Sequence, residues 1–260
     1  MRDVIALLKD RYLNDYSTTD AARFRDHLLG RGLVTSTVKR VFAIIRAIIN
    51  LSIQEYGLGC KNAFARTYIP DLEDSIKRQP IPIDIIRQIQ KECLNINDSN
   101  RWLIALISDT GMRLSEALGL KISDIKSNEE IPYLNIIPNS ARRLKTKSSQ
   151  RQIPLVGTSL WAARQICLHV KGEFAFPHYT VKDYCHTNSA SASLNKWIKT
   201  RIPVNCVIHS FRHSMRDRLR AIDCPSEIID QIGGWSIQKI GHKYGQGFAL
   251  VQIYEWIKKI

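Results

Sequence analysis

Nowhere among the 260 residues does an apolar run reach the length needed to cross a bilayer, so no helical membrane span is expected. The six cysteines, Cys60, Cys93, Cys167, Cys185, Cys206 and Cys224, include no CxxC pair, which removes both a disulfide framework and a zinc ribbon from the options. A reducing cytosol fits that scatter. The opening stretch "MRDVIALLKDRYLNDY" is amphipathic and charged, and it lacks the apolar core and small-residue cleavage site of a secretory leader. Internal repeats and low-complexity segments are missing too. Acidic residues are few beside basic ones: 24 Asp and Glu stand against 38 Lys and Arg, a formal net charge of +14. That balance favours a polyanionic partner, and nucleic acid is the commonest one.

What is present divides into two parts, as a chain of this length allows. "TTDAARFRDHLLGRG" and "TSTVKRVFAIIRAIINLSIQEYG" carry apolar residues at helical spacing, with stops expected at Gly30, Gly32 and Gly57 and an N-cap at Thr35 or Ser36. Residues 1–74 are therefore expected to form a small helical domain. "YIPDLEDSIKRQPIP" has three prolines and no periodic face, and it reads as a connecting stretch whose centre, 75–82, is the linker. Residues 83–260 form the second domain. Helical periodicity resumes in "IDIIRQIQKECL" and "RWLIALISDTG", two short β-prone runs, "YLNIIP" and "QRQIPLV", flank the basic turn "ARRLKTKSS", and the pattern is helical again from Ser191, broken at Pro203, Pro225, Gly233 and Gly234. The fold class expected is mainly α with a small β-sheet: a helical domain followed by a mixed α/β domain.

Four places carry chemistry. "DTGMRLSEALGL" sets Arg113 after a glycine turn, with Glu116 one helical turn on to hold the guanidinium; taken alone, such a pair is usually a surface ion pair of little worth. "RRLKTKSSQR" offers Lys145 and Lys147 on a turn between two strands, and by itself it is a solvated basic loop. "HSFRH" puts His209 and Arg212 three apart on one helical face. "GGWSIQKIGHKYGQG" holds Trp235 and Tyr244, which read alone would be packing aromatics. Cys206, His209 and His213 also have the offsets of a zinc clip, with Cys185 or His186 as a guessed fourth ligand, but that reading leaves Arg113, Arg212 and Tyr244 without a purpose.

It is the order that makes these pieces one set. An arginine box "TGMRLSEALGL", a hairpin lysine, "HSFRH", then "IIDQIGGW" and Tyr244 resemble the tyrosine recombinase or phage integrase family, whose chemistry is shared with type IB topoisomerases. "TSTVKRVFAIIRAIINLSI" is similar to that family's core-binding domain, and the resemblance covers nearly the whole chain. The "IGGW" stretch departs from the family's usual leucine-glycine-histidine box, and aligning Trp235 restores the spacing to the tyrosine. Many integrases carry a further N-terminal arm-binding module, whereas this sequence opens on the stretch similar to the core-binding domain.

The resemblance implies a site-specific recombinase or integrase that cleaves and rejoins DNA through a 3′-phosphotyrosine, with no metal, ATP or other cofactor, serving a phage or genomic island. A topoisomerase-like relaxing enzyme and a non-catalytic DNA-binding protein are the alternatives. Catalytic roles fall on Arg113, Lys145, His209, Arg212, Trp235 and the nucleophile Tyr244. Glu116 stands behind Arg113, and Lys147 is the alternative general acid. Period-two reasoning puts 145 and 147 on the same side of a strand and cannot separate them, whereas family spacing to "IPL" leans to Lys145. The two arginines replace the cation that phosphoryl transfer otherwise needs, because each can offer a two-pronged fork to non-bridging oxygens. The implied partners are double-stranded attachment sites, contacted in part by Thr37 and Arg40, a homotetramer assembled on DNA, and an accessory DNA-bending or directionality factor. The tail "FALVQIYEWIKKI" is an amphipathic helix expected either on its own domain or on a neighbouring protomer, where it would join the tetramer. The implied location is the cytoplasm of a bacterium, near the nucleoid, with no membrane partner.

Overall fold

The computed structural model describes residues 2–72, 74, 79–201, 206–235 and 247–260, and contacts within the chain divide it into two units, Met1–Lys77 and Arg78–Ile260. The first unit packs α1 (Arg2–Leu8), α2 (Thr18–Gly30) and α3 (Thr35–Glu55). A capping box starts α2: Ser17 Oγ accepts the Asp20 amide at 3.1 Å, and the Asp20 carboxylate accepts the Ser17 amide at 2.9 Å. The buried positions of α3, Val38, Phe42, Ile45 and Ile49, recur every three or four residues and form one stripe. Phe42 meets Phe24 and Phe64 there, each at 5.9 Å between ring centroids.

The start of α3 differs from expectation. Val34 occupies the N-cap, and Thr35 is the first helical residue. A remote carboxylate does the capping: Asp74 accepts the Thr35 amide at 2.7 Å and its hydroxyl at 2.9 Å. Leu72 O also accepts that hydroxyl, and Asp71 pairs with Lys39 at 2.7 Å. The first half of the proline-containing stretch is thus tied to the helix rather than free spacer; residues 75–78 lie outside the described residues.

The second unit is built around α5 (Ser99–Thr110), buried on every face from Trp102 to Thr110. Asp98 caps its start by accepting the Arg101 amide, and Gly111 ends it in a left-handed turn. Around it pack α4 (Ile83–Ile96), α7 (Gly157–His169) and α9 (Ser210–Ala221). Short α6 (Leu114–Leu118) leads through β1 (Ile125–Lys126), β2 (Tyr133–Ile136) and β3 (Arg151–Pro154), an antiparallel sheet in that order, with Leu134 opposite Ile153 and Ile136 opposite Arg151. A two-stranded pair, β4 (Thr180–Val181) and β5 (Tyr184–Cys185), precedes α8 (Thr187–Lys199), and α10 (Ser226–Gly233) and α11 (Leu250–Ile257) follow α9. The fold is mainly helical with small antiparallel sheets, as expected. Pro203 falls outside the described residues.

Two expectations about the basic turn need correcting. Lys145 sits in an irregular bend and Lys147 opens a 3-10 turn, Lys147–Ser149, so neither lies on a strand and period-two reasoning does not apply. Nor is the whole turn solvated: Arg142 is buried, pairing with Asp124 at 2.8 Å and donating to Ile137 O and Glu116 O. Helix α11 docks on β3 of its own unit, with Ile253 and Ile257 in the core. That is the first of the two positions expected for it. No helix among the described residues is long and apolar enough to cross a membrane.

Candidate active site

The C-terminal end of α10 gathers three arginines that are far apart in sequence. Helix ends leave carbonyls without intrahelical partners and carry partial negative charge, so they suit guanidinium donors. Arg151 Nε donates to Ile232 O at 2.7 Å, Arg212 Nη2 to Gly233 O at 2.5 Å, and Arg113 Nη2 to Gly234 O at 3.4 Å. Arg212 also donates to Gly111 O at 2.8 Å, which ties α9 to the end of α5. Three successive carbonyls therefore fix three guanidiniums beside one another.

Glu116 balances part of this charge. Its carboxylate accepts Arg113 Nη1 at 2.5 Å, the Arg113 amide at 3.0 Å and Arg151 Nη2 at 3.0 Å. Burial opposes its ionisation, but Arg151 and Arg113 outweigh that and hold the carboxyl below its usual range. Arg212 gains less from Glu116: burial first, then repulsion from Arg113 and Arg151, pushes it down to about 9. It remains a cation at neutral pH, with donors in excess of acceptors, and an anion between it and Arg113 would relieve the repulsion.

The "IGGW" stretch has a steric explanation. A Cβ at Gly233 would lie 1.8 Å from the Trp235 ring, and one at Gly234 would lie 2.7 Å from Arg151 Nη1, where φ is also +61°. Both glycines make room, one for the indole and one for the guanidinium. Trp235 then lies under two cations, with Arg212 4.2 Å and Arg216 4.8 Å from its ring centroid. Arg216 is held from the other side by Asp230 at 3.2 Å.

His209 precedes the first turn of α9, and its ring meets that of His213 edge to face at 5.4 Å. Both histidines line a cleft of about 230 Å³ with Arg212, Arg216, Arg220 and Trp235. The zinc reading fits this geometry poorly. Cys206 is buried, its thiol is directed at Gln79 O, and burial pushes its pKa up, away from the thiolate a metal takes. Among the described residues no group of three His, Cys, Asp or Glu is arranged to hold a metal ion.

Of the residues singled out in the sequence, Arg113, Glu116, His209, Arg212 and Trp235 are brought together. Lys145 is exposed on the bend before the 3-10 turn, and Tyr244 lies outside the described residues. Arg40 is exposed and Thr37 half-buried on the first turns of α3 in the other unit. Sequence reading missed Arg151, although a signal existed: on β3 it shares the inward face with Ile153 while Gln152 points out, and an inward charge needs a partner.

The arrangement resembles known proteins in fold. The Tn1549 transposon integrase, solved with a circular intermediate DNA, is 19% identical over 91% of this chain and 84% of its own, with a TM-score of 0.67. A lambda integrase dimer bound to a COC′ core site is 15% identical over 95% and 71%, with a TM-score of 0.68. A lambda integrase tetramer bound to a Holliday junction gives 14% over 93% and 68%, again at 0.68. No curated protein matches the chain in sequence. The family model described as the phage integrase family covers residues 83–247, well over half of the chain and all of the arginine cluster, and on that match the chain belongs to the phage integrase family of tyrosine recombinases.

Proposed function

We propose that this recombinase cuts and rejoins DNA at specific sites through a 3′-phosphotyrosine on Tyr244. The observation that carries the reading is the placement of Arg113 and Arg212 on adjacent carbonyls of one helix end, one residue before Trp235. Two forks held side by side suit the two non-bridging oxygens of one phosphodiester, and a lysine pair could not reproduce that geometry. Charge developing on a five-coordinate phosphorus would be met by donors already in place, so the site does not reorganise as the reaction proceeds.

The steps follow from the side chains. The Tyr244 oxygen attacks phosphorus as His209 takes its proton, forming the tyrosine–phosphorus bond. The bond to the 5′ oxygen breaks, and Lys145, or Lys147 as the alternative, gives that oxygen a proton to leave a 5′-hydroxyl. Trp235, whose indole nitrogen only donates, hydrogen-bonds a non-bridging oxygen. Phenol has a reference pKa of about 10, a fair leaving group, so a 5′-hydroxyl from a second DNA can reverse the step without ATP. Guanidiniums take the place of a metal ion, so cleavage persists in EDTA.

The rest of the chain serves the same end. The helical domain at residues 1–74, joined through 75–82, binds DNA with Thr37 and Arg40 on α3 among its contacts, and 83–260 performs the chemistry. The lambda and Tn1549 integrases solved as DNA complexes, one of them a tetramer on a Holliday junction, support attachment-site DNA as the partner and assembly of four chains on it. Use by a phage or genomic island, a bacterial cytoplasmic setting near the nucleoid and an accessory bending or directionality factor belong to the same proposal.

The test is Tyr244→Phe on a nicked suicide DNA, whose short 5′-hydroxyl fragment diffuses away and strands the intermediate. Wild type should give a detergent-resistant covalent complex. The variant should give none, yet keep its DNA affinity within about 1 kcal/mol, the net worth of one hydrogen bond. An adduct that persists in Tyr244→Phe moves the nucleophile elsewhere.

A further inference from the structure

Each of the three guanidinium nitrogens of Arg151 is bonded within the protein, one of them to a carboxylate. Its side chain is 2% exposed, against 23% for Arg113. The guanidinium is used in three directions: Nη2 to the Glu116 carboxylate at 3.0 Å, Nε to Ile232 O at 2.7 Å, and Nη1 to Ser149 O at 2.7 Å. These acceptors belong to three separate segments: α6, the end of α10, and the turn that leads out of the lysine-bearing bend. Ser149 extends the connection. Its hydroxyl accepts Arg113 Nη1 at 3.3 Å and lies 3.1 Å from the Thr146 hydroxyl, and its amide donates to Thr146 O at 3.1 Å. Thr146 sits between Lys145 and Lys147.

A buried ion pair is poor evidence of stabilisation, since desolvating the charges offsets much of their attraction. Geometry is what a planar three-way fork supplies that an apolar filler cannot. It sets the angles among three segments at once, and the space for it exists because residue 234 has no Cβ. Resting on the general-acid role given to the loop lysine under the proposed function, we propose that Arg151 is a positioning residue for proton donation. It holds the 145–149 loop in register with Arg113 and the end of α10, so that the lysine ammonium and the arginine forks meet the same phosphate. In the step it governs, the bond between phosphorus and the 5′ oxygen breaks as the tyrosine–phosphorus bond forms, and the lysine proton passes to the departing oxygen.

Arg151→Lys tests this in the full chain, because an ammonium still neutralises Glu116 but cannot hold three planar acceptors together. Single-turnover cleavage of a nicked DNA would be measured with the ordinary 5′ oxygen and with a 5′-bridging sulfur, whose departure needs no proton. Cleavage of the ordinary substrate is expected to fall about 100-fold, as for a displacement near 1 Å, with DNA affinity kept. The sulfur substrate should be cleaved within about tenfold of wild type, since orienting the proton donor is the lost function. Ser149→Ala, which removes only the hydroxyl link and is a mild change should Arg151→Lys not fold, is expected to show a smaller loss with the same recovery. Equal losses on both substrates mean Arg151 is merely structural and overturn the inference. Lys145→Ala and Lys147→Ala serve as controls. If one of them recovers on sulfur and Arg151→Lys and Ser149→Ala do not, the inference alone falls. If neither lysine variant recovers, the general-acid reading falls and takes the inference with it.

Discussion

Replacing Glu116 by glutamine changes one oxygen for an NH2 group and almost nothing in volume, which isolates the role of its charge. In the folded chain the carboxylate accepts three hydrogen bonds, two on Oε2 and one on Oε1, from donors belonging to two arginines. An amide has one acceptor oxygen, so in either orientation its NH2 faces at least one N–H donor. If the oxygen keeps the pair of bonds at Oε2, the bond from Arg113 Nη1 is lost, and a charge-assisted bond is worth about 1.5–3 kcal/mol. Arg151, buried and beside Arg113, also loses its counter-charge, and breaking a buried pair costs about 3–5 kcal/mol in all. We expect the second unit of Glu116→Gln to be less stable by about 3–5 kcal/mol at pH 7, measured by urea unfolding. The sign of the pH dependence follows from the depressed carboxyl. Its contribution is present above the unfolded-chain value of 4.5 and is lost as pH falls through the lower folded value. The gap between wild type and variant should therefore be widest near neutrality and close in acid. A loss under about 1 kcal/mol at pH 7, the worth of an exposed pair, would refute the reasoning, as would a gap that stays constant into acid.

Gly233→Ala should push the indole off its seat, and cleavage should fall while DNA affinity stays near wild type; a crystal structure of the variant with Trp235 unmoved contradicts this. Arg212→Lys keeps one positive charge but not the fork, so single-turnover cleavage should drop by 100-fold or more, as for the loss of an oriented charge donor, about 3 kcal/mol. Phe42→Ala opens a hole among three phenyl rings and should destabilise the first unit by about 3–5 kcal/mol, read as an earlier unfolding transition with weakened DNA binding. DNA affinity should fall steeply with salt, with a log–log slope of about −0.9 per phosphate neutralised, and cleavage should survive EDTA; a flat salt response counts against phosphate contacts by the basic residues, and a metal requirement counts against the arginine forks.

Local sequence determined the helices and their stops, because apolar spacing, capping residues and glycines act over a few neighbouring positions. The stripe Val38, Phe42, Ile45, Ile49 and the left-handed stop at Gly111 were legible that way. The order in which an arginine box, His-x-x-Arg and a tryptophan follow one another also singled out Arg113, His209, Arg212 and Trp235, which the fold brings together. Capping of α3 was not legible, since Asp74 reaches Thr35 from 39 residues away and no local pattern encodes that return. The buried pair of Arg142 with Asp124 was likewise hidden inside a run that reads as a solvated basic loop. For Arg151, alternation along β3 signals an inward charge, but its partners come from α6, the 145–149 loop and α10, and only their convergence shows what that charge is bonded to. Sequence spacing shows which residues share a face, but a guanidinium with acceptors on three segments is fixed only once the chain has folded them together. The negative end of α10 that seats all three arginines is such a product of folding, because the partial charge belongs to backbone carbonyls and to no side chain in the sequence.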